Sequence, residues 1–149
     1  MKKLLKEKWG FILVLIFSLL GLYASFTLSY DSYLISIKPE TTLPCNINST
    51  FNCTSVMNSD YSHLFGFPNP WIGMIGYTAM SIFSIYGILG MSKKIVYDIF
   101  TVGSLVSTIF SWYLMYISKT VLEIYCIYCI LSCICSTIIL IVNVYKRNK

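Results

Sequence analysis

The chain has 149 residues, a formal net charge of +5, 56% hydrophobic and 11% charged residues, and a mean hydropathy of +0.71. That balance excludes an ordinary soluble domain and points to a membrane protein. The basic residues fall into separate clusters with no single stripe interleaved with aromatics, so they form no nucleic-acid-binding surface.

Lys2, Lys3, Lys6 and Lys8 precede a first apolar run, 9–28. A basic start followed by an apolar stretch is also the pattern of a cleaved leader. This run is longer than a usual leader core, however, and Leu22-Tyr23-Ala24-Ser25 sets a large residue between the small ones a cleavage site needs. It is expected to remain as an uncleaved first helix. A polar loop, 29–69, follows and holds Pro39, Pro44, Cys45 and Cys53. Its first part is expected to be extended or turn-rich, and 55–64 to form a short helix begun by Thr54 or Ser55 as cap. Asn48-Ser49-Thr50 and Asn52-Cys53-Thr54 match the glycosylation acceptor pattern, which arises often by chance. Phe65-Gly66-Phe67-Pro68-Asn69-Pro70 reads as a turn into a second helix, 70–89, with Pro70 at the first helical position, where a missing N–H costs little. Phe65, Phe67 and Trp71 are aromatic where a membrane interface is expected. Two further apolar runs, 95–117 and 124–145, complete four segments of about 20 residues, roughly one bilayer thickness each as helix. Ser18, Gly21, Ala24 and Ser25 on the first helix, with Gly73, Gly76 and Ala79 on the second, allow close helix approach in lipid.

Orientation follows from Lys and Arg, which are retained on the cytoplasmic side. Lys2, Lys3, Lys6, Lys8, Lys93, Lys94, Lys146, Arg147 and Lys149 flank one side of the four runs, and only Lys38 and Lys119 the other. The expected fold is an all-α, four-transmembrane-helix bundle of one domain, 1–149, multi-pass in the plasma membrane. Both termini are then cytoplasmic, and the capping loop and the start of the fourth helix are extracytoplasmic.

The cysteines carry the chemistry. Cys126 and Cys129 form a Cys-Ile-Tyr-Cys dithiol at the start of the fourth run, where unpaired N–H groups and the helix dipole stabilise a thiolate. At about 100° per residue, with Cys126 at 0°, Cys129 falls near ~300°, Cys133 near ~340° and Cys135 near ~180°. Three cysteines share a face, and Cys135 reads as a small buried apolar residue. Cys133, about one turn deeper, has packing as its plain alternative. A four-cysteine zinc site from both pairs fits poorly, because the step from Cys45 to Cys53 is too long for a short-spaced ligand pair. A purely structural disulfide between Cys45 and Cys53 would leave the dithiol at 126 and 129 unexplained. Two pairs on one face of a membrane permit a thiol–disulfide relay. No metal, flavin or nucleotide-binding motif is present, so the electron acceptor must diffuse in. His63, the one histidine, is expected to be structural or exposed.

The residues then show a resemblance. Pro44-Cys45, the stretch Cys53-Thr54-Ser55-Val56-Met57-Asn58-Ser59-Asp60-Tyr61-Ser62, Leu64-Phe65-Gly66-Phe67-Pro68-Asn69 with Gly73 and Tyr77, and Tyr125-Cys126-Ile127-Tyr128-Cys129 together resemble the vitamin K epoxide reductase family over essentially the whole chain. The resemblance implies a quinone reductase coupled to disulfide formation. By it, Cys129 attacks the quinone with Cys126 as partner, Cys53 forms a transient disulfide with Cys126, and Cys45 meets a separate thioredoxin-like protein. Ser59 and Asn69 are implied at the quinone, with a local turn bond as the alternative for each. Animal members carry a tyrosine where this chain has Cys133, which favours a prokaryotic role and places Cys133 near the quinone. The implied co-substrate is ubiquinone or menaquinone, with no metal and no flavin. A vitamin K epoxide or quinone reductase, and a non-enzymatic scaffold with a structural disulfide, are the alternatives.

Overall fold

The structure, a computed structural model, describes residues 2–91 and 94–148, with side chains from Lys8 onward. Lys93, Lys149 and the side chains of Lys2, Lys3 and Lys6, which enter the charge argument, lie outside the described residues.

Five α-helices follow in chain order: α1 (Lys2–Ile37), α2 (Cys53–Met57), α3 (Asn69–Ile88), α4 (Lys94–Ile117) and α5 (Ile127–Arg147). Among the described residues, four helices are long and apolar enough to cross a membrane, all except α2. The all-α four-helix membrane bundle expected from composition is therefore the fold.

The first helix departs from expectation. The apolar run ends at Leu28, yet α1 continues through Ser29 and Asp31 to Ile37, 36 residues in all. Its hydroxyls tolerate the helical backbone by bonding back one turn, Ser29 to the Ser25 carbonyl at 2.8 Å and Ser36 to that of Ser32 at 3.0 Å. Leu28 and Ile35 extend a buried face beyond the hydropathy break and pack into the capping loop. Termination comes at Lys38-Pro39, where the proline lacks an N–H and disfavours helix in the residue before it. At 1.5 Å per residue α1 is about 54 Å long, against a hydrocarbon core of about 30 Å, so it stands well clear of the bilayer.

The capping loop thus spans 38–68. Its short helix α2 begins at Cys53 and is capped by Asn52, whose side chain accepts from the Ser55 N–H at 3.1 Å; neither Thr54 nor Ser55 is the cap. Asn48 accepts from the Thr50 and Phe51 N–H groups at 2.9 and 2.8 Å. Both acceptor asparagines of the glycosylation patterns therefore use their side-chain oxygens in local turns. A 3₁₀ turn (Asp60–His63) and Gly66, at φ 82°, lead the chain into α3. α3 ends with Gly90 at φ 78° and the Met91 N–H bonded to the Tyr86 carbonyl at 3.0 Å, a left-handed glycine stop.

Packing in the bundle is closest between α1 and α3. Ser18 and Ala24 are fully buried, and a methyl group added at Gly21 would overlap the Tyr77 ring. One added at Gly73 would meet the Ser25 hydroxyl, whereas Gly76 faces open space. At the far end, Arg147 pairs with Asp98 at 2.9 Å, and the Lys146 ammonium sits 4.9 Å from the Trp9 ring centroid. These contacts gather α1, α4 and α5 with their basic residues at the end opposite the capping loop.

Candidate active site

After α4 the chain makes a π-helical turn (Ser118–Leu122) and reverses at Glu123, which adopts left-handed φ of 53°. Residues 124–126 are then extended, so α5 begins three residues later than the apolar run. The extended segment pairs with the capping loop. The Tyr125 N–H donates to the Thr50 carbonyl at 2.7 Å, and the Asn52 N–H donates to the Tyr125 carbonyl at 3.2 Å. This parallel bridge, Phe51 beside Tyr125, brings Cys53, two residues on at the start of α2, and Cys126, one residue on, into one space.

Three sulfurs meet there. Cys45 and Cys53 are joined as a disulfide with Cα atoms 5.8 Å apart, and the Cys53 sulfur lies 3.2 Å from that of Cys126. Cys126 and Cys129 are free thiols. Cys45, Cys53 and Cys126 are 4%, 0% and 2% exposed, enclosed by Leu28, Ile35, Leu43 and Met57. Asn46 holds the loop beside them, donating to the Thr54 hydroxyl at 2.8 Å.

Cys126 is the N-cap of α5, with extended φ of −109° and ψ of 123°, rather than a residue within its first turn. The helical-wheel position assigned to it is corrected accordingly; Cys129 is the third helical residue. The Cys126 thiol is held below the usual thiol range. The main cause is the Cys129 thiol directed at its sulfur; burial opposes this, the backbone N–H groups of Cys129 and Tyr128 at the open helix end assist it, and the charge of Asp31 opposes it.

On its other side Cys126 borders a cavity of about 550 Å³ that also exposes Cys129. The volume is that of a site for a small organic molecule. Its walls are apolar, with Phe65, Phe67 and Phe110 facing Gly73, Tyr77 and the two cysteines. Phe65 stacks on Phe67 with centroids 6.4 Å apart and reaches Phe110 at 6.3 Å, which closes the lid onto α4. Tyr77 is fixed by its hydroxyl at 2.7 Å from the Ser132 carbonyl.

Ser59 and Asn69 both line this cavity, and both are engaged locally. The Ser59 hydroxyl donates to the Val56 carbonyl at 2.7 Å, and the Asn69 amide donates to the Tyr61 carbonyl at 2.7 Å. Cys133 is 5% exposed and is absent from the cavity wall, where Ser132 stands instead. Cys135 is packed with Val14, Tyr77 and Ile139. His63 is bonded to the neighbouring Ser62 hydroxyl at 2.6 Å and lies outside the cavity wall. One buried group is missing from the candidates named by sequence: Asp31, 5% exposed, on α1 beside the sulfur cluster.

The family model described as Vitamin K epoxide reductase family matches residues 12–144, nearly the whole chain and every residue of the site. The chain belongs to the vitamin K epoxide reductase family. No curated protein matches it. Members of the family are membrane oxidoreductases that work through cysteines and use quinones.

Proposed function

We propose that this vitamin K epoxide reductase family member is a plasma-membrane disulfide oxidase, carrying electrons from a separate thioredoxin-like protein to ubiquinone or menaquinone on the extracytoplasmic side. One observation supports it above the others: Cys126 has the Cys53 sulfur 3.2 Å away on one side and the cavity on the other. A sulfur so placed can exchange with the loop disulfide and serve a ligand in the cavity without a large movement of the bundle.

The electrons run in sequence. A partner dithiol reduces the Cys45–Cys53 disulfide. Cys53 as thiolate attacks Cys126 of an oxidised inner pair, and Cys129 leaves; Cys45 then attacks Cys53, and Cys126 leaves. The inner dithiol passes two electrons and two protons to the quinone, with Cys129 adding to the ring and Cys126 attacking Cys129 to release quinol and restore the disulfide. Ser59 and Asn69 are the polar residues assigned to the quinone oxygens.

Separating the two pairs tests this reading. A pre-reduced Cys53→Ser protein in lipid nanodiscs is expected to form about one quinol per chain in a single turnover. With reduced thioredoxin as donor it is expected to turn over at least about a hundredfold more slowly than the unsubstituted protein, since the positioned exchange partner is gone. Unchanged turnover in Cys53→Ser would refute the relay.

A further inference from the structure

Asp31 is a buried residue on the face of α1 that packs onto the sulfur cluster. It lies between Leu28 and Ile35 on one face of α1, at spacings of three and four residues, and both neighbours belong to the buried cluster that holds Cys45, Cys53 and Cys126. It is 5% exposed, and its Oδ2 has no hydrogen-bond partner among the described residues. An apolar residue would fill this seam at no electrostatic cost, whereas burying a carboxyl oxygen without a partner is unfavourable. The group therefore destabilises the position it occupies, which calls for a role.

The titratable groups around it are those of the relay. Its charge acts on Cys126 and on Tyr128 from α5. Cys129 is hydrogen-bonded to Cys126, Tyr23 of α1 acts on Tyr128, and the loop contributes Cys45 and Cys53. Among the described residues no basic side chain forms an ion pair with Asp31; the pair present joins Asp98 to Arg147.

We propose that Asp31 is the proton-holding positioning residue of the relay, taking the proton from Cys53 as that thiol becomes a thiolate and returning it to Cys126 as that sulfur leaves. The proposal rests on the electron route given above. Transfer inward breaks the Cys126–Cys129 bond and forms the Cys45–Cys53 bond, so two electrons move to the inner pair. Two protons must follow. One passes from Cys53 through the Asp31 carboxylate to Cys126, and the other, lost by Cys45, is made up at Cys129, so the transfer has no net gain or loss of protons. Both sulfurs served by Asp31 lie within 3.2 Å of each other in a cluster closed to solvent, where water cannot readily do the same work.

A fixed negative charge at Asp31 would have the opposite signature to a proton holder. As a mere charge it opposes the Cys126 thiolate, so Asp31→Asn would speed exchange near neutral pH. As a proton holder it is needed, and Asp31→Asn slows exchange. The test is quinone-dependent oxidation of reduced thioredoxin, with a short-chain ubiquinone as acceptor, by the full-length protein in nanodiscs across a pH series. Asp31→Asn is expected to lower turnover by about a hundredfold near neutrality, the lower end of a positioned acid–base contribution, and to lose a limb of the pH–rate profile; Asp31→Glu is expected to recover most of it. Equal or faster turnover in Asp31→Asn overturns the proposal.

Infrared difference spectra of the unsubstituted protein supply a readout that does not depend on a variant folding. A carboxyl C=O band should change while exchange between the pairs is under way, and its absence overturns the proposal. The relay is checked separately with Cys129→Ala and native Asp31. If no Cys53–Cys126 disulfide forms there, the electron route and this proposal both fall; if it forms while Asp31→Asn turns over normally, only the proton role falls.

Discussion

Cys126 combines three properties found at no other sulfur described in the chain: a neighbouring disulfide sulfur at 3.2 Å, a place in the cavity wall, and a thiol lowered below its ordinary range. Lowering means the fold favours the thiolate, so its reactivity is present above the folded pKa and is lost as pH falls through it. Cys129→Ala removes the largest cause of the lowering, and the loss of reactivity should then set in at higher pH. Iodoacetamide labelling of Cys126 across a pH series, read by peptide mass spectrometry, is expected to show that rightward shift; an unchanged profile would assign the lowering to the helix end alone. The paired cysteines were legible from spacing, because a Cys-x-x-Cys at a helix start has a physical reason to be reactive. The approach of Cys53 to Cys126 across 73 residues was not, and came only from the family resemblance. Asp31 escaped notice because hydropathy ended the first helix at Leu28, which turned a buried helical acid into an ordinary loop residue.

At the scale of elements, that same hydropathy break hid the part of α1 that builds the site. Leu28 and Ile35 belong to the buried face only once the helix is continued to Ile37, and the capping loop has something to fold onto only then. The four spans themselves were readable because lipid requires about 20 apolar residues each, a constraint stronger than local propensity. The start of α5 was misplaced by three residues, since Ile124 and Tyr125 are apolar for a bridge to the loop and not for the helix. Close approach of α1 and α3 was legible in the small residues, though with unequal force. Gly21→Ala is expected to destabilise the protein by about 1–3 kcal/mol, because the Tyr77 ring in its path is held by Ser132 and cannot turn aside freely. Gly76→Ala meets nothing within 4 Å and is expected to be neutral or to raise stability by up to about 1 kcal/mol. Thermal unfolding midpoints of the two variants in one detergent check the contrast, and equal midpoints would contradict it.

The whole molecule is a membrane bundle with Arg147 and Lys146 at one end and Cys45, Cys53 and Cys126 at the other, roofed by the loop. The loop does two things at once: the bridge at Tyr125 presents Cys53 to Cys126, and the Phe65–Phe67 stack closes the cavity onto α4. The Cys45–Cys53 disulfide is 4% and 0% exposed in this arrangement, so the proposed exchange with a protein partner requires the loop to lift. Burial thus separates the two halves of the proposed cycle, exchange with the partner in a lifted state and exchange between the pairs in the closed one. The most direct measurement of this account is disulfide mapping of Cys129→Ala, isolated under thiol-blocking conditions and digested without reduction. The account predicts that a Cys53–Cys126 cross-link accumulates, since Cys126 can still attack the loop disulfide at Cys53 while Cys129, whose attack on Cys126 would resolve the cross-link toward the inner pair, is gone. A protein that retains only the Cys45–Cys53 disulfide, with Cys126 free, would contradict it.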